Sequence, residues 1–317
     1  MAYTKDLVSV VMPTYKRSDM LGRAIKSVLS QSYRNLELLV VSDNEPDDEF
    51  TNEALILVNS FHDNRVRVVK QEHHTNGAVA RNVGIREAKG EFIAFLDDDD
   101  WWESRKVELQ VDLLKSLDES YGAVTCKNKH YCDDKIVTAL PAINDGNVCK
   151  ELLLRLVDLS TDAILLRRDY LDKTGYFDEN LKRHQEVQLM AFFTQKFKVK
   201  LLNMYLVCVD SSQNENQPSP EKMEVIKKDF LYSIEPVLST FSDTEIKHIK
   251  IMHQFELGLL YVRKRKLKIG LKKCFSIVRS PYTVGYAIRY LWKKVGSKGF
   301  VKQRISNDAY TRMLERI

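Results

Sequence analysis

Long hydrophobic runs are absent from this sequence of 317 residues, and none approaches the roughly 18 apolar residues that a membrane-spanning helix needs. The apolar run Val8 to Met12 is short, ends at Pro13 and is followed by basic residues, so it is not typical of a secretion signal. We therefore expect neither membrane insertion nor secretion.

Cysteine is also scarce. The five cysteines are odd in number and scattered along the chain, which argues against a disulfide framework and favours reduced thiols in the cytoplasm. A zinc site formed by Cys126, His130 and Cys132 is an alternative. Its spacing matches no common zinc module, however, and a fourth ligand is not visible in the sequence.

Acidic residues are nearly missing from the C-terminal part. Between Lys247 and Ile305 there are 16 Lys or Arg residues and one acid, Glu256, so this segment carries +15 while the whole chain carries +5. The rest of the chain is accordingly acidic. Such asymmetry indicates an anionic partner, either a lipid surface or a nucleic acid. No nucleic-acid-binding motif is recognisable, so we expect no nucleic-acid partner.

The first half alternates β-rich runs with helical patterns, which predicts an α/β fold with a mostly parallel central sheet and helices on both faces. Near-continuous apolar runs predict four strands: Val8 to Met12, Leu36 to Val41, Val66 to Val69 and Phe92 to Leu96. Helical spacing predicts three helices between them, at residues 20–29 after a cap at Ser18 or Asp19, at 50–61, and at 78–88 before a stop at Gly90.

The pattern is less regular beyond Trp102. It predicts helices near residues 105–117, 148–157 and 186–195, and strands near 121–126 and 162–167. The segment Asp210 to Glu221 is rich in Ser, Asn, Gln and Pro and predicts a loop that contains a domain boundary. We therefore predict one α/β domain over residues 1–212 and a basic helical region over 213–317.

Four consecutive carboxylates, Asp97 to Asp100, follow the fourth predicted strand. They cannot all stay ionised side by side without a cation. Ligands of open α/β sheets bind beyond the carboxyl ends of strands, so a Mg²⁺ or Mn²⁺ ion that is also held by a diphosphate is the natural partner here. An acidic loop that merely solvates the strand end is the alternative.

Polar clusters also follow the first two strands: Pro13, Thr14 and Tyr15 after the first, and Ser42, Asp43 and Asn44 after the second. Three neighbouring strands thus end in polar residues at one edge of the sheet. A nucleotide could lie there, with Asp43 accepting the imide N–H of a uracil and Tyr15 packing on the base. Taken alone, Asp43 would be a helix cap or a turn residue.

These motifs, in this order and at this spacing, resemble those of the family-2 glycosyltransferases with a GT-A fold. The segments that carry the resemblance are Val8 to Tyr15, Leu36 to Asp43, Asn76 to Gly84, Phe95 to Asp100 and Gly175 to Glu186. The resemblance extends over residues 7–210. It implies an inverting enzyme that moves a sugar from a nucleotide diphosphate sugar, with UDP-sugar as the expected donor, to an acceptor hydroxyl.

The resemblance also implies residue roles. The nucleotide would be held by Pro13, Thr14, Tyr15 and Asp43, with Arg81 supporting the pocket. Asp97 would contact the ribose or the metal shell, and Asp98 would also belong to the donor site. Asp99 would ligate the Mn²⁺ or Mg²⁺ ion that bridges the two phosphates. Glu186 would be the catalytic base.

Two positions depart from the family pattern. Ser42 and Asp43 stand where two acids are usual, and Glu186 stands where the base is more often Asp. The additional methylene can move the carboxylate by more than about 1 Å, enough to alter the rate. Were Glu186 only a surface residue at a helix start, the chain would be a catalytically silent nucleotide-binding scaffold.

Other polar and aromatic residues lie close to these motifs. His184 could contact substrate or pyrophosphate, and Trp101 and Trp102 are expected to pack behind the acidic run. A nucleotidyltransferase is a further hypothesis. That class usually begins with a phosphate loop rich in Gly and Lys or Arg, which Met12 to Asp19 lacks.

In the C-terminal region, aromatic residues such as Tyr290 and Trp292 alternate with Lys and Arg. Basic amphipathic helices with interfacial aromatics suit an anionic membrane surface. A helical cap with a solvated charged face is the alternative. Related enzymes of capsule, O-antigen and other surface-glycan synthesis use lipid-linked acceptors. We therefore expect a glycan or lipid-linked acceptor and a cytoplasmic protein that is peripheral at the inner face of the plasma membrane.

Overall fold

A computed structural model of the chain describes residues 3–17, 20–132, 135–139, 145–212 and 218–299. Ser18 and Asp19, which were expected to cap the first helix, lie outside these ranges, as do residues 213–217 of the predicted interdomain loop. The first helix begins after Met20, which provides no side-chain cap.

The described residues form one mixed sheet of nine strands. The strands are β1 Thr4–Thr14, β2 Leu36–Ser42, β3 Val66–Lys70, β4 Gly90–Phe95, β5 Trp101–Trp102, β6 Tyr121–Cys132, β7 Lys135–Ala139, β8 Ile164–Arg167 and β9 Lys198–Asp210. Their order is β3-β2-β1-β4-β8-β6-β9-β5, and β7 pairs with β6. The neighbouring strands β3, β2, β1 and β4 pair in parallel, and so do β6 and β9. The other pairs are antiparallel.

The helices of the first part are α1 Leu21–Leu29, α2 Glu49–Ser60, α3 Gly77–Glu87, α4 Lys106–Ser116, α5 Cys149–Leu153, α6 Arg168–Thr174 and α7 Gln185–Lys196. The C-terminal helices are α8 Pro220–Ser233, α9 Glu235–Leu238, α10 Asp243–Arg263, α11 Leu267–Cys274 and α12 Pro281–Gly299. Two 3-10 turns, Thr161–Ala163 and Phe275–Arg279, complete the described elements.

Alternate residues of the central strands bury into two separate cores because successive side chains of a strand point to opposite faces. Val10 and Met12 of β1 pack with α1, α2 and α4, whereas Val11 packs with α3, α5 and α7. Both faces of the sheet are therefore covered by helices. This arrangement explains why the strands are near-continuous apolar runs.

The parallel strands bring their carboxyl ends to one edge. Thr14 of β1 lies beside Ser42 of β2, and Val11 lies beside Phe95 of β4. Helix α3 approaches this part of the sheet closely, because a Cβ on Gly84 would lie only 2.3 Å from a methyl group of Val11. A glycine is therefore required where α3 crosses β1.

The predicted helix stop at Gly90 is wrong. Helix α3 ends before Ala88, and Gly90 is the first residue of β4. A Cβ at Gly90 would lie 2.5 Å from the Leu7 carbonyl oxygen, so the glycine is needed for close strand pairing.

The C-terminal helices pack against the first part of the chain and share its core. Phe230, Ile249 and Met252 belong to the same buried cluster as Ile93 and Phe193. The predicted division at residue 212 stays a prediction, but the two parts are joined by a continuous apolar interior. Within the part of the chain that the structure describes, no helix is long and apolar enough to cross a membrane.

Candidate active site

A cleft of about 530 Å³ opens at the carboxyl edge of β1, β2 and β4. It brings together the polar clusters that follow these three strands. The lining residues are Pro13, Thr14, Tyr15, Arg17, Asp43, His74, Thr75, Asn76, Gly77, Arg81, Asp97, Asp98 and Asp99. Every residue predicted to bind the donor or the metal therefore lines one cleft.

Asp43 is the buried acceptor at the floor of this cleft. Its Oδ1 accepts hydrogen bonds from the Gln71 side chain at 2.7 Å and from the Thr75 backbone N–H at 2.9 Å. Its backbone N–H donates to the Thr14 carbonyl at 2.9 Å, which ties the ends of β1 and β2 together. These contacts fix the carboxylate. Its second oxygen, Oδ2, lies 3.3 Å from Nδ1 of His74.

Tyr15 and His74 form an aromatic wall. Their rings stack with centroids 4.1 Å apart and an interplanar angle of 12°. Tyr15 is 39% exposed, so one side of the pair stays available to a planar ligand. The Lys16 ammonium lies 5.2 Å from the Tyr15 ring and makes the wall electropositive.

The four aspartates of the acidic run have different environments. Asp98 and Asp100 are buried, at 7% and 4% exposure, whereas Asp97 and Asp99 are partly exposed. Asp98 accepts a hydrogen bond from the Thr14 hydroxyl at 2.7 Å, and Asp100 accepts one from the Asp210 backbone N–H at 2.9 Å. The alternation leaves Asp97 and Asp99 as the carboxylates that are accessible to a ligand.

Both accessible carboxylates are paired with arginines. Asp97 is bound by Arg81, and its backbone N–H donates to Asp162 at 2.9 Å. Asp99 is bound by Arg17, whose guanidinium also lies 3.6 Å from Asp98. Guanidinium groups that neutralise the acids can equally bind phosphate oxygens of a diphosphate.

The site has more negative charge than its own cations neutralise. Burial raises the pKa of Asp98 to about 7, against the opposing effect of the hydrogen bond from Thr14. Burial and neighbouring carboxylates also raise the pKa of Asp100 and of Asp162. An added cation would favour the ionised forms of these acids.

The donor atoms fit a hard divalent ion. The side chains of Asp97 and Asp99 offer carboxylate oxygens, the ligands that Mg²⁺ and Mn²⁺ prefer. Within the described ranges, no group of three His, Cys, Asp or Glu side chains is arranged to hold a metal by itself. An ion here would therefore complete its coordination with substrate phosphates and water, as Mg²⁺ usually does.

Glu186 lies in the first turn of α7 and is half-buried. It does not line the cleft, but it lies within electrostatic reach of Arg81. Burial lowers the pKa of Arg81, and the carboxylates of Asp97, Asp162 and Glu186 outweigh that effect and raise it. The Arg81 guanidinium is thus attracted both to the acidic run and to Glu186, the predicted base.

Helix α3 holds the segment ahead of α7 in place. The Asn82 side chain donates to the Phe177 carbonyl at 2.9 Å and accepts from the Phe177 N–H at 3.1 Å. It also donates to Glu179 at 2.8 Å. The Asp178 N–H donates to Gln188 at 3.0 Å, which joins the segment to α7. This network holds the segment that leads to α7, the helix whose first turn contains Glu186.

Three other sequence predictions have clear outcomes. Trp102 is buried and donates to the Asp162 carbonyl at 2.9 Å, so it packs behind the acidic run as expected. Trp101 is half-buried, and the Arg23 guanidinium lies 4.0 Å above its ring. Cys126 forms no metal-binding group with its neighbours in the described residues, and burial raises the pKa of its thiol to about 11.

Sequence reasoning missed Arg17 and His74 as site residues. His74 lies in the loop after β3, the strand adjacent to β2, so its position follows once that loop is placed at the same edge. Arg17 comes two residues after Tyr15, and its pairing with Asp99 could not be inferred from spacing.

Comparison with known proteins agrees with this architecture. The model of the family described as glycosyl transferase family 2 matches residues 9–175. The UDP-Glc:alpha-D-GlcNAc-diphosphoundecaprenol beta-1,3-glucosyltransferase WfgD of Escherichia coli is 26% identical over 269 residues, which cover 84% of this chain and 94% of WfgD.

Two solved structures have the same fold. Residues 1–349 of S. aureus TarS give a TM-score of 0.55 at 17% identity and cover 91% of each chain. The mannosyltransferase PcManGT from Pyrobaculum calidifontis, solved with GDP-Man and Mn²⁺, gives a TM-score of 0.56 at 14% identity over 90% of this chain and 87% of its own. The GT-A fold predicted from the sequence is confirmed.

Proposed function

The chain belongs to glycosyltransferase family 2, and from this premise we propose that it transfers a sugar from a UDP-sugar to a hydroxyl of a lipid-linked acceptor, with inversion, in surface-glycan synthesis. The observation that carries the proposal is the shared cleft. Asp43 and Tyr15, suited to a nucleobase, lie in one cavity with Asp97 and Asp99, suited to the metal-bound diphosphate.

In this proposal the uracil packs against Tyr15 and donates its imide N–H to Asp43. Both groups are held in place before the donor arrives, by the His74 stack and by the bonds from Gln71 and Thr75. Preorganised contacts cost little to form, so binding energy is available to position the sugar for attack.

The predicted chemistry is a single displacement. Glu186 takes the proton of the acceptor hydroxyl, whose oxygen forms a bond to the anomeric carbon while the bond from that carbon to the diphosphate oxygen breaks. The leaving UDP carries the additional negative charge. Arg81 and Arg17 line the cleft where that charge develops and stabilise it.

A Mn²⁺ or Mg²⁺ ion held by Asp99 would neutralise charge on the diphosphate. The Asp99 side chain can take this role, because its present partner is an arginine at the cleft wall. Arg17 would then turn to the phosphates. The ion and the donor are expected to bind together, since the described side chains supply too few ligands for the ion alone.

The proposed acceptor is supported by similarity and by surface chemistry. WfgD, whose name gives a diphosphoundecaprenol-linked acceptor, aligns with 84% of this chain. Exposed apolar side chains are concentrated in α11, the 3-10 turn after it and α12. They are Leu267, Ile269, Leu271, Phe275, Val278, Tyr282, Ile288, Leu291 and Trp292. Because basic residues are interspersed among them, this surface suits an anionic membrane.

A transfer assay tests the proposed activity against the silent-scaffold alternative. The purified chain with Mn²⁺ should release UDP from a UDP-sugar in a panel of donors, and Glu186→Gln should reduce release at least about 100-fold, the usual contribution of a general base. Glu186→Asp should retain more activity than the amide. Binding of UDP without turnover of any donor would leave the scaffold as the function.

Membrane contact is tested by vesicle co-sedimentation. The chain should sediment with anionic phosphatidylglycerol vesicles, and added salt or the double change Phe275→Ser and Trp292→Ser should weaken it. Tyr232→Ser, at an equally exposed aromatic of α8, is the matched control and should bind like the wild type. Equal binding to neutral vesicles would contradict an electrostatic contribution.

A further inference from the structure

Arg23, near the start of α1, binds the acidic run through its main chain. Its Nη2 donates to the Asp99 carbonyl oxygen at 2.6 Å and to the Asp210 carboxylate at 2.9 Å. The guanidinium also lies 4.0 Å above the Trp101 ring. Arg23 thus contacts three groups from two separate segments of the chain, although its own side chain is 40% exposed.

The second of these segments, the end of β9, is itself joined to the acidic run. Asp210 is the last residue of β9, and its backbone N–H donates to the Asp100 carboxylate at 2.9 Å. Trp101 belongs to β5, which pairs with β9. The two residues that follow Asp99 are therefore attached directly to β9. Arg23 adds an attachment for Asp99 itself.

Two arginines hold Asp99 in different ways. Arg17 pairs with the carboxylate, so this pair has to open before the carboxylate oxygens can ligate an ion. Arg23 donates to the main-chain carbonyl and does not use the carboxylate oxygens. Its hydrogen bonds can therefore persist when an ion and a donor diphosphate bind. Groups that orient a metal ligand from behind contribute to metal affinity, because a ligand that is already oriented loses less freedom on binding.

Helix α1 does not depend on Arg23 for its attachment to the sheet. Its apolar face is buried in the core through Leu21, Ala24, Ile25 and Val28. An ion pair with an arginine as exposed as Arg23 adds little to stability, because solvent screens it. The contact between Arg23 and Asp99 therefore matters more for the geometry of the acidic run than for the packing of α1.

We propose that Arg23 is a positioning residue of the metal site, which fixes the backbone of Asp99 so that its carboxylate meets the ion together with the donor diphosphate. The inference rests on the proposed function and adds to it a residue outside the cleft lining. A guanidinium suits this role because it is planar, donates to two acceptors and stacks on an aromatic ring. The compact ammonium of a lysine lacks the stacking on Trp101, so it would replace these contacts only in part.

Binding of UDP at graded Mn²⁺ concentrations tests the role of Arg23 without turnover. UDP is titrated by calorimetry into the full chain at a series of fixed Mn²⁺ concentrations, and the Mn²⁺ concentration that gives half of the maximal UDP affinity is determined. We expect Arg23→Gln to raise this concentration about tenfold or more, the usual effect of losing a group that orients a metal ligand. Arg23→Lys should raise it less. Lys26→Gln, at an exposed position of the same helix, is the matched control and should behave like the wild type.

Asp210→Asn tests the same contact from its other end. The amide offers one acceptor oxygen where the carboxylate offers two, so the guanidinium loses an anchor. The Mn²⁺ requirement should therefore rise in this variant as well. Combining Asp210→Asn with Arg23→Gln should raise it little beyond the effect of Arg23→Gln alone, because both changes remove one shared contact.

An unchanged Mn²⁺ requirement in Arg23→Gln overturns the inference, even if the melting temperature of the variant falls, and leaves the proposed function standing. An equal rise in Arg23→Gln and Lys26→Gln also overturns it, because any change on α1 would then have the same effect. If Arg23→Gln does not fold, Arg23→Lys and Asp210→Asn decide by the same measurement. Failure of UDP to bind the wild type at any Mn²⁺ concentration counts against the proposed function instead.

Discussion

At the scale of single residues, position within the acidic run determines what each aspartate can do. The sequence presents four equal carboxylates, but in the structure Asp98 and Asp100 are buried, whereas Asp97 and Asp99 are partly exposed at the cleft. Buried Asp98 binds Thr14 and thereby joins two strand ends. The sequence therefore predicts the location of the charge, whereas the division between buried and accessible acids depends on local backbone geometry.

Asp43 provides a prediction at this scale. We expect Asp43→Asn to raise the Kd for UDP with Mn²⁺ about tenfold, roughly 1.4 kcal/mol, because the amide offers one acceptor oxygen where the carboxylate offers two. Isothermal titration calorimetry measures this directly. The exposed Asp47 in the same loop supplies the control Asp47→Asn, which should bind UDP as the wild type does. Identical affinities for both variants would remove Asp43 from the nucleotide site.

At the scale of elements, the part of the fold that could be read from the sequence is the regular alternation of strands and helices in the first part of the chain. Strands β1 to β4 and the helices between them have strong apolar patterns, and the structure confirms them to within a few residues. Strand β9 was missed, although it is 13 residues long. It is only half-buried over much of its length, so its apolar pattern is mixed and does not stand out in the sequence.

The connection between α3 and α7 leads to a prediction about Asn82. Asn82→Ala would leave the buried N–H and C=O of Phe177 unpaired, at a cost of about 2–4 kcal/mol in the free energy of unfolding. Because the segment that precedes Glu186 would be loosened, kcat should fall more than the KM for donor rises. Urea denaturation and donor kinetics measure the two effects.

Asn59→Ala, at an exposed position of α2, is the matched control and should change stability by no more than about 0.5 kcal/mol. A kcat equal to that of the wild type in a destabilised Asn82→Ala would show that the segment does not position the base.

At the scale of the whole molecule, the C-terminal helices share a hydrophobic core with the sheet and its helices. Buried side chains of α8 and α10 lie in one cluster with the core of the sheet. Ion pairs add to the contact, with Lys150 on α5 bound to Glu245 on α10 at 2.7 Å and Lys293 on α12 bound to Asp158. The boundary near residue 212 was inferred from composition. Composition indicates a loop, but it does not show whether the parts of the chain on either side of that loop pack together.

A calorimetric prediction follows for the whole chain. A shared core should unfold in a single cooperative transition, with a calorimetric enthalpy close to the van't Hoff value. Differential scanning calorimetry of the full chain measures this ratio. Two resolved transitions, one sensitive to UDP with Mn²⁺ and the other not, would establish the C-terminal helices as a separate domain.

The account depends most directly on a divalent ion and a uridine diphosphate binding together at Asp99. The decisive measurement is the melting temperature of the wild type, of Asp99→Ala and of the control Asp112→Ala, at an exposed position of α4, with UDP in the presence and absence of Mn²⁺. We predict that UDP raises the melting temperature of the wild type and of Asp112→Ala only when Mn²⁺ is present, and does not raise that of Asp99→Ala. A shift of wild-type size in Asp99→Ala, or one that needs no metal, would contradict the account.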